Sequence, residues 1–357
     1  MTTPTTDFEK IRRMRRENPK MRERDLANTL EVSEADLVAA ECGLGARRIE
    51  VRFDEIFKGL ADVGEVLALT RNESAVHEKP GVYDRFIPGK GAAMMLGAQI
   101  DTRMFPAVWK HGFAVEKTAE DGSVKKSLQF FDKHGDAVHK IHTREATDMA
   151  AWDALVESLV AGDQAPVLSP AAVPAEKAER TPADPSKAPE LRERWQAMTD
   201  THQFHGMLRE LELHRLDALA MTGEERAWKL QSDAVVTMLH KAAETAVPIM
   251  CFVGSRGCIQ IHTGPVSRIA AMGPWINIMD PGFHLHLRTD HIVEVWAVRK
   301  PCDAGHVTSI EAYDADGTLV IQFFGERKEG LDELPEWRTL VEELPRATEN
   351  ETVLEPA

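Results

Sequence analysis

An imidazole, a glycine and a guanidinium fall at helical spacing in Thr199-Asp-Thr-His-Gln-Phe-His-Gly-Met-Leu-Arg209. Phe204, Met207, Leu208 and Leu211 recur with a period near 3.6, which predicts an inward face with Thr199 or Asp200 as N-cap. At about 100° per residue, His202, Gly206 and Arg209 share a different face. Histidine can ligate a metal, a glycine one turn on leaves the surface flat, and arginine can meet an anion. That combination suits a planar, carboxylated ligand with a metal centre. An exposed helical face with surface histidines meets the same spacing, so both readings stand at this point.

Other constellations carry less chemistry. His284 and His286 lie on one face of an alternating run near His291, but no further ligand completes a metal site, so a polar sheet face is expected. Gly254-Ser-Arg-Gly-Cys-Ile-Gln-Ile-His-Thr-Gly264 lacks the Lys-Ser/Thr ending of a phosphate loop and reads as a tight hairpin. No Gly-x-Ser-x-Gly elbow is present. The basic run Lys10-Ile-Arg-Arg-Met-Arg-Arg16 precedes two short helical patterns, Asp25–Leu30 and Ala35–Ala39, in a helix-turn-helix arrangement. The second helix is flanked and carried by Glu34, Asp36 and Glu41, which repel phosphate, so these helices are read as packing elements.

The elements that must position these residues belong to a chain of 357 residues with 43 basic and 58 acidic side chains and a formal charge of −15. Such a field opposes non-specific binding of nucleic acid. The hydrophobic fraction of 43% supports packed cores, and no run approaches the roughly 20 apolar residues of a membrane span. The N-terminus shows no signal-peptide pattern, and Cys42, Cys251, Cys258 and Cys302 have no metal-type spacing. A cytoplasmic protein is expected. Proline recurs at 166, 170, 174, 182, 185 and 189 among Ala, Glu and Ser, which predicts an extended linker over 163–190. It separates a repeat at 1–162 from one at 191–345, followed by a tail at 346–357.

The two repeats resemble each other at an offset near 182. Asp25–Leu37 answers Gly206–Ala218, the strand near Arg71 and His77 answers that near Arg256 and His262, and Ile100–Met104 answers Phe283–Leu287. Asp132-Lys-His-Gly135 matches Asp314-Ala-Asp-Gly317. In the second copy Cys251–His262, Trp275–Met279, Phe283–Leu287 and Ile292–Arg299 read as strands, and Thr308–Tyr313 with Leu319–Phe324 as a hairpin. Helices followed by runs of strands predict an α+β fold: a tandem duplication of a domain with a large antiparallel sheet flanked by helices. A last helix is expected over Pro335–Leu344.

Thr199-Asp-Thr-His-Gln-Phe, Phe252-Val-Gly-Ser-Arg-Gly-Cys-Ile-Gln-Ile-His-Thr-Gly-Pro265, Leu285-His-Leu-Arg-Thr-Asp-His291, Val295-Trp-Ala-Val-Arg-Lys-Pro301 and Gln322-Phe-Phe-Gly-Glu-Arg327 together resemble the HemS/HmuS/ChuS/PhuS family of cytoplasmic haemin-utilisation proteins. The resemblance spans nearly the whole chain apart from the linker and tail. It implies His202 as the proximal ligand of haem iron and Arg103, from the other repeat, as the distal catalytic group. Phe105 and Phe252 would contact the macrocycle, and Lys300, Gln322 and Arg327 would line the haem pocket beside Phe324; Arg209, from its helical spacing, joins the haem-binding set as the anion contact. Phe324 stands where some relatives carry tyrosine. His205 is a second ligand candidate with a role in transfer.

The resemblance implies a protein that accepts imported haem and opens the porphyrin by reductive O2 activation, releasing iron with electrons from an external donor. A carrier that hands haem to a separate oxygenase is the alternative. A haem-responsive DNA-binding regulator is the third reading. A haem importer, a downstream oxygenase and a second copy of the chain are the partners these readings imply.

Overall fold

The computed structural model describes residues 7–118, 121–173, 183–303, 305–327 and 332–347. The first repeat runs α1 (Phe8–Glu17), α2 (Glu23–Leu30), α3 (Glu34–Ala39), β1 (Ala46–Ile49), α4 (Phe53–Val63), β2 (Gly64–Arg71), β3 (Ala75–Gly81), β4 (Phe86–Ile87), β5 (Ala93–Leu96), β6 (Asp101–Met104), β7 (His111–Thr118), β8 (Val124–Phe131), β9 (Ala137–Thr147) and α5 (Met149–Leu159). The second runs α6 (Ala188–Gln196), α7 (Gln203–Glu210), α8 (Arg215–Thr222), β10 (Ala227–Leu230), α9 (Ala234–Thr245), β11 (Ile249–Gly254), β12 (Cys258–Gly264), β13 (Ile269–Met272) and β14 (Trp275–Asp280). It continues with β15 (Phe283–Arg288), β16 (Glu294–Cys302), β17 (Gly305–Tyr313), β18 (Leu319–Gly325) and α10 (Pro335–Glu342). The two lists match element for element, as a duplicated α+β fold requires.

Within the first unit the strand order is β1-β7-β8-β9-β2-β3, and within the second it is β10-β16-β17-β18-β11-β12. The pairings β1–β7–β8–β9–β2 and β10–β16–β17–β18–β11 are antiparallel. The turn 72–76 groups with the second unit and the segment 254–260 with the first. In the second unit, α9 and α10 cover one sheet face through Met238, Leu239, Trp337 and Val341 against Val295, Ile310, Ile321 and Phe323. The other face receives α6, α7 and α8 through Trp195, Phe204, Leu208 and Leu216 against Trp296, Val298 and Tyr313.

The duplicated turn has a local cause. Gly135 and Gly317 adopt φ +77° and +75°, the left-handed region that favours glycine. Asp132 Oδ1 accepts from the N–H groups of His134 (2.8 Å) and Asp136 (3.0 Å), and Asp314 Oδ1 does the same for Asp316 (3.0 Å) and Thr318 (2.8 Å).

The helix-turn-helix pattern at the N-terminus is a packing unit. Ser33 and Asp36 close a capping box on α3, whose residues Ala35, Leu37, Val38 and Ala39 are all buried. Of the Pro/Ala-rich segment, residues 174–182 lie outside the described residues. Its start is held on the first unit: Gln164 Oε1 accepts from Arg48 N (2.8 Å), Arg48 Nη2 donates to Val167 O (2.6 Å), and Leu168 is buried beside Phe113 and Phe131. α6 begins at Ala188, inside the stretch expected as linker. Of the expected tail, Ala347 N donates to Lys229 O at 3.1 Å, and residues 348–357 lie outside the described ones.

The two cores differ at His139. In the first unit, His139 Nδ1 meets Thr70 Oγ1 (2.8 Å), its Nε2 meets the Tyr83 hydroxyl (2.6 Å), and Cys258 Sγ lies 3.8 Å from Nδ1. The matching positions in the second unit, Ile321, Val253, Val266 and Ala75, are all hydrocarbon in one cluster. Burial pushes the His139 imidazole down to about 3, so it folds neutral. The unfolded chain takes up that proton near pH 6.5, so the stability this group contributes is complete above that value and drains away towards pH 3. By pH 4.5 the loss should reach about 2–3 kcal/mol at roughly 1.4 kcal/mol per pH unit. Urea unfolding between pH 7 and 4.5 should give a shallower pH slope for His139→Gln than for the wild type; equal slopes would assign the effect elsewhere.

Candidate functional site

Of the sequence-predicted residues of the second repeat, Phe252, Lys300, Gln322 and Phe324 share one face of its sheet, whereas His202 and Arg209 belong to α7 and Arg327 follows β18. Phe252 pairs with Gln322, Gln322 with Glu311 and Glu311 with Trp296, a row across β11, β18, β17 and β16. The next row on the same face is Met250, Phe324, Ser309 and Val298, because side chains two apart along a strand point the same way. The Phe252 and Phe324 rings meet edge to face at 5.0 Å. Trp296, Val298 and Tyr313 are buried under the helices, whereas Phe252, Gln322 and Phe324 remain half-buried.

Glu311 is the hub of this face and is fully buried. Its Oε1 accepts from Lys300 Nζ (2.6 Å), Arg215 Nη2 (2.7 Å), Ser309 Oγ (2.8 Å) and Gln322 Nε2 (3.0 Å). Its Oε2 accepts from Arg215 Nε (2.8 Å) and the Tyr313 hydroxyl (2.5 Å). Burial alone would raise the Glu311 carboxyl, but Arg215 and Lys300 outweigh it and hold the group well below the carboxylate range. Burial pushes the Lys300 ammonium down to about 8, although Glu311 favours its charged form. Both cations also lie 4.9 Å from the Phe204 ring, so α7 is seated on them. Two cations against one carboxylate leave this face positive, which suits an anionic ligand.

The loop before α7 presents the histidines. Gln203 Oε1 accepts from Thr199 N (2.9 Å) and Asp200 N (3.3 Å), so α7 begins at Gln203, with His202 itself as the N-cap. The expected cap at Thr199 or Asp200 is thereby corrected: Asp200 Oδ1 turns to His202, accepting from its backbone N (2.8 Å) and lying 2.6 Å from Nδ1. The His202 side chain is 91% exposed. His205 packs on the Phe204 ring, and burial with Arg215 and Lys300 pushes its imidazole below the usual range. Arg209 lies exposed in the last turn of α7. Arg327 acts electrostatically on Asp200, and its own Nε is buried without a hydrogen bond among the described residues.

The first-repeat candidates sit in their own unit. Arg103 of β6 is ion-paired with the Asp101 carboxylate, and Phe105 is half-buried, its N–H donating to Gly257 O at 2.9 Å. His284 and His286 are half-buried on β15, with His286 Nδ1 2.7 Å from Asn277 Oδ1. No group of three or more metal-ligating side chains occurs among the described residues.

The row Phe252–Gln322–Glu311–Trp296 has the counterpart Leu69–Lys140–Gln129–Phe113 in the first repeat. There Lys140 is buried and paired with Glu23 and Glu34, and Glu23 also pairs with Lys117. The first copy's cations are thus taken up by its own carboxylates. Glu311, Arg215, Tyr313 and Ser309 were not singled out from sequence, and Asp200 was read only as a cap candidate. The available signal was Ser309, Glu311 and Tyr313 alternating with the apolar Ile310 and Ala312 at the end of β17.

A family model described as the haemin-degrading HemS.ChuX domain matches residues 31–159 and 212–344, one match in each repeat. The haemin transport protein HmuS of Yersinia pestis is 37% identical over 92% of this chain and 94% of its own length, and HemS of Yersinia enterocolitica is 36% identical over 93% and 95%. The crystal structure of holo-PhuS, a haem-binding protein from Pseudomonas aeruginosa, superposes with TM-score 0.90 at 40% identity, covering 95% of this chain and 98% of that one. That of ChuS, described as an Escherichia coli haem oxygenase, gives 0.84 at 34% identity, covering 93% and 98%. The fold of this chain, a tandem duplication of an α+β domain, is the fold of these structures, and the family model matches once in each copy. The chain belongs to the HemS family of haemin-utilisation proteins.

Glu311→Ala should cost about 3–5 kcal/mol, because it strands two buried cations. The check is the urea midpoint at unchanged m-value; a loss under about 1 kcal/mol would mean that water solvates the cluster instead.

Proposed function

We propose that the chain binds haem in the cytoplasm and degrades it, with His202 on the iron and Arg103 acting on the oxygen side. The observation that carries this reading is the joint presence, in one unit, of an exposed, carboxylate-oriented imidazole and a half-buried aromatic face with Lys300 and Arg327. Haem is apolar over most of its surface with two carboxylates at one edge, so it needs an aromatic slot and cations at the rim. Phe252 and Phe324 would supply the slot. Lys300, Gln322 and Arg327 would meet the carboxylates, and the Nε of Arg327 has no hydrogen-bond partner among the described residues. Haem itself supplies the redox iron that activates O2, with electrons from an external donor.

The protein's part in turnover is to hold the iron, exclude water from the apolar slot and offer a cation to developing negative charge. Arg103 is proposed for the last task, carried over from the family motif. Its ion pair with Asp101 must then exchange for the oxygen ligand. A carrier that passes haem to a separate oxygenase is the second reading. It is favoured by the name haemin transport protein borne by the two Yersinia relatives, whereas ChuS is described as an oxygenase. No helix among the described residues is long and apolar enough to cross a membrane.

Titration of the purified protein with haemin should give a Soret band of histidine ligation, and His202→Ala should weaken or shift it; identical spectra would remove His202 from the iron. Reduction under nitrogen followed by air, with catalase present, should bleach the band and release chelatable iron; a persistent band would make the chain a carrier. Arg103→Ala should lower the bleaching rate about 10- to 100-fold while haemin affinity changes less than about threefold. Equal losses would make Arg103 a carboxylate anchor.

A further inference from the structure

The loop before α7 bears on which nitrogen of His202 meets the iron and on what tunes that bond. We propose that Asp200 is the positioning residue for His202, holding the ring as its Nδ1–H tautomer, reserving Nε2 for the iron and strengthening its electron donation. This rests on the reading of His202 as the haem ligand.

A single oxygen, Asp200 Oδ1, clamps both the backbone N of His202 (2.8 Å) and the ring Nδ1 (2.6 Å). A carboxylate accepts and does not donate, so the ring proton lies on Nδ1 and the lone pair on Nε2. Asp200 is in turn held in place. Its own N–H and that of Thr199 donate to Gln203 Oε1, and Thr199 O accepts from Asp303 N at 2.9 Å, tying the loop to the turn between β16 and β17.

The comparison with His205 separates the two imidazoles of this helix. His205 packs on Phe204 with ring centroids 6.1 Å apart, and among the described residues no carboxylate hydrogen-bonds its ring. A ligating histidine characteristically gives its other N–H to a carboxylate or carbonyl, which fixes the tautomer and makes the ligand more basic. Of these two, His202 alone has that partner among the described residues. In water the pair is weak, since its side chains are 91% and 58% exposed. A macrocycle laid over the ring would exclude water and strengthen it.

The test uses the full chain loaded with haem, as wild type, Asp200→Asn, Asp200→Ala and His202→Ala. Asp200→Asn retains an oxygen for the backbone N–H of His202, so the loop survives while the negative charge is removed. Both Asp200 variants should still bind haemin through histidine. The iron–histidine stretch of the ferrous protein, read by resonance Raman, should move to lower frequency. The ferric/ferrous midpoint potential should rise, and haem should dissociate about tenfold faster. An unchanged stretch and potential in Asp200→Asn and Asp200→Ala, with histidine ligation intact, would overturn the role of Asp200 and leave His202 as ligand. A His202→Ala spectrum identical to the wild type overturns both, which distinguishes the two failures.

Discussion

A carboxylate wholly out of water is tolerated only where donors surround it, and Glu311 meets that condition with six hydrogen bonds from five side chains. The constraint acts in both directions. Arg215 and Lys300 keep Glu311 ionised, and Glu311 determines where two cations, a tyrosine hydroxyl and the amide of Gln322 can lie. Because Phe204 rests on the same two cations, the seat of α7 depends on the cluster too. One glutamate therefore links the sheet face to the helix that carries His202 and His205. Because each of these five side chains donates to Glu311, the cluster is fixed by its own hydrogen bonds.

The duplication shows how much of this is architecture and how much is content. Backbone elements, antiparallel registers and even the Asp-x-x-Gly turns correspond between the copies. The side chains on the corresponding sheet face do not. Gln129 stands for Glu311, Glu34 for Arg215, and Lys140 for Gln322, so the charges are redistributed while the strands keep their pairing. In the first copy Lys140 and Lys117 are neutralised by Glu23 and Glu34. In the second, positive charge remains for a ligand.

Much of the frame was legible because it follows from local rules. Alternating Phe283, Leu285 and Leu287 gave β15, and the Asp-Gly turn gave the β17–β18 hairpin. The stripe Phe204, Met207 and Leu208 gave the buried side of α7. The start of α7 was misplaced because Asp200, a good N-cap by type, is diverted to the imidazole two residues on while Gln203 takes the free N–H groups. The Glu311 hub was not legible, since it joins residues from α8, β16, β17 and β18 whose meeting depends on cross-strand register. The docking of 163–173 was hidden too. A Pro- and Ala-rich composition signals extension, but not that Arg48 will reach the carbonyls of Ala165 and Val167.

The buried imidazole of His139 has no counterpart in the second repeat, where the matching place is Ile321. At this one place the two copies of one architecture answer protons differently: acid reaches an imidazole in the amino-terminal core, where the carboxy-terminal core offers only hydrocarbon.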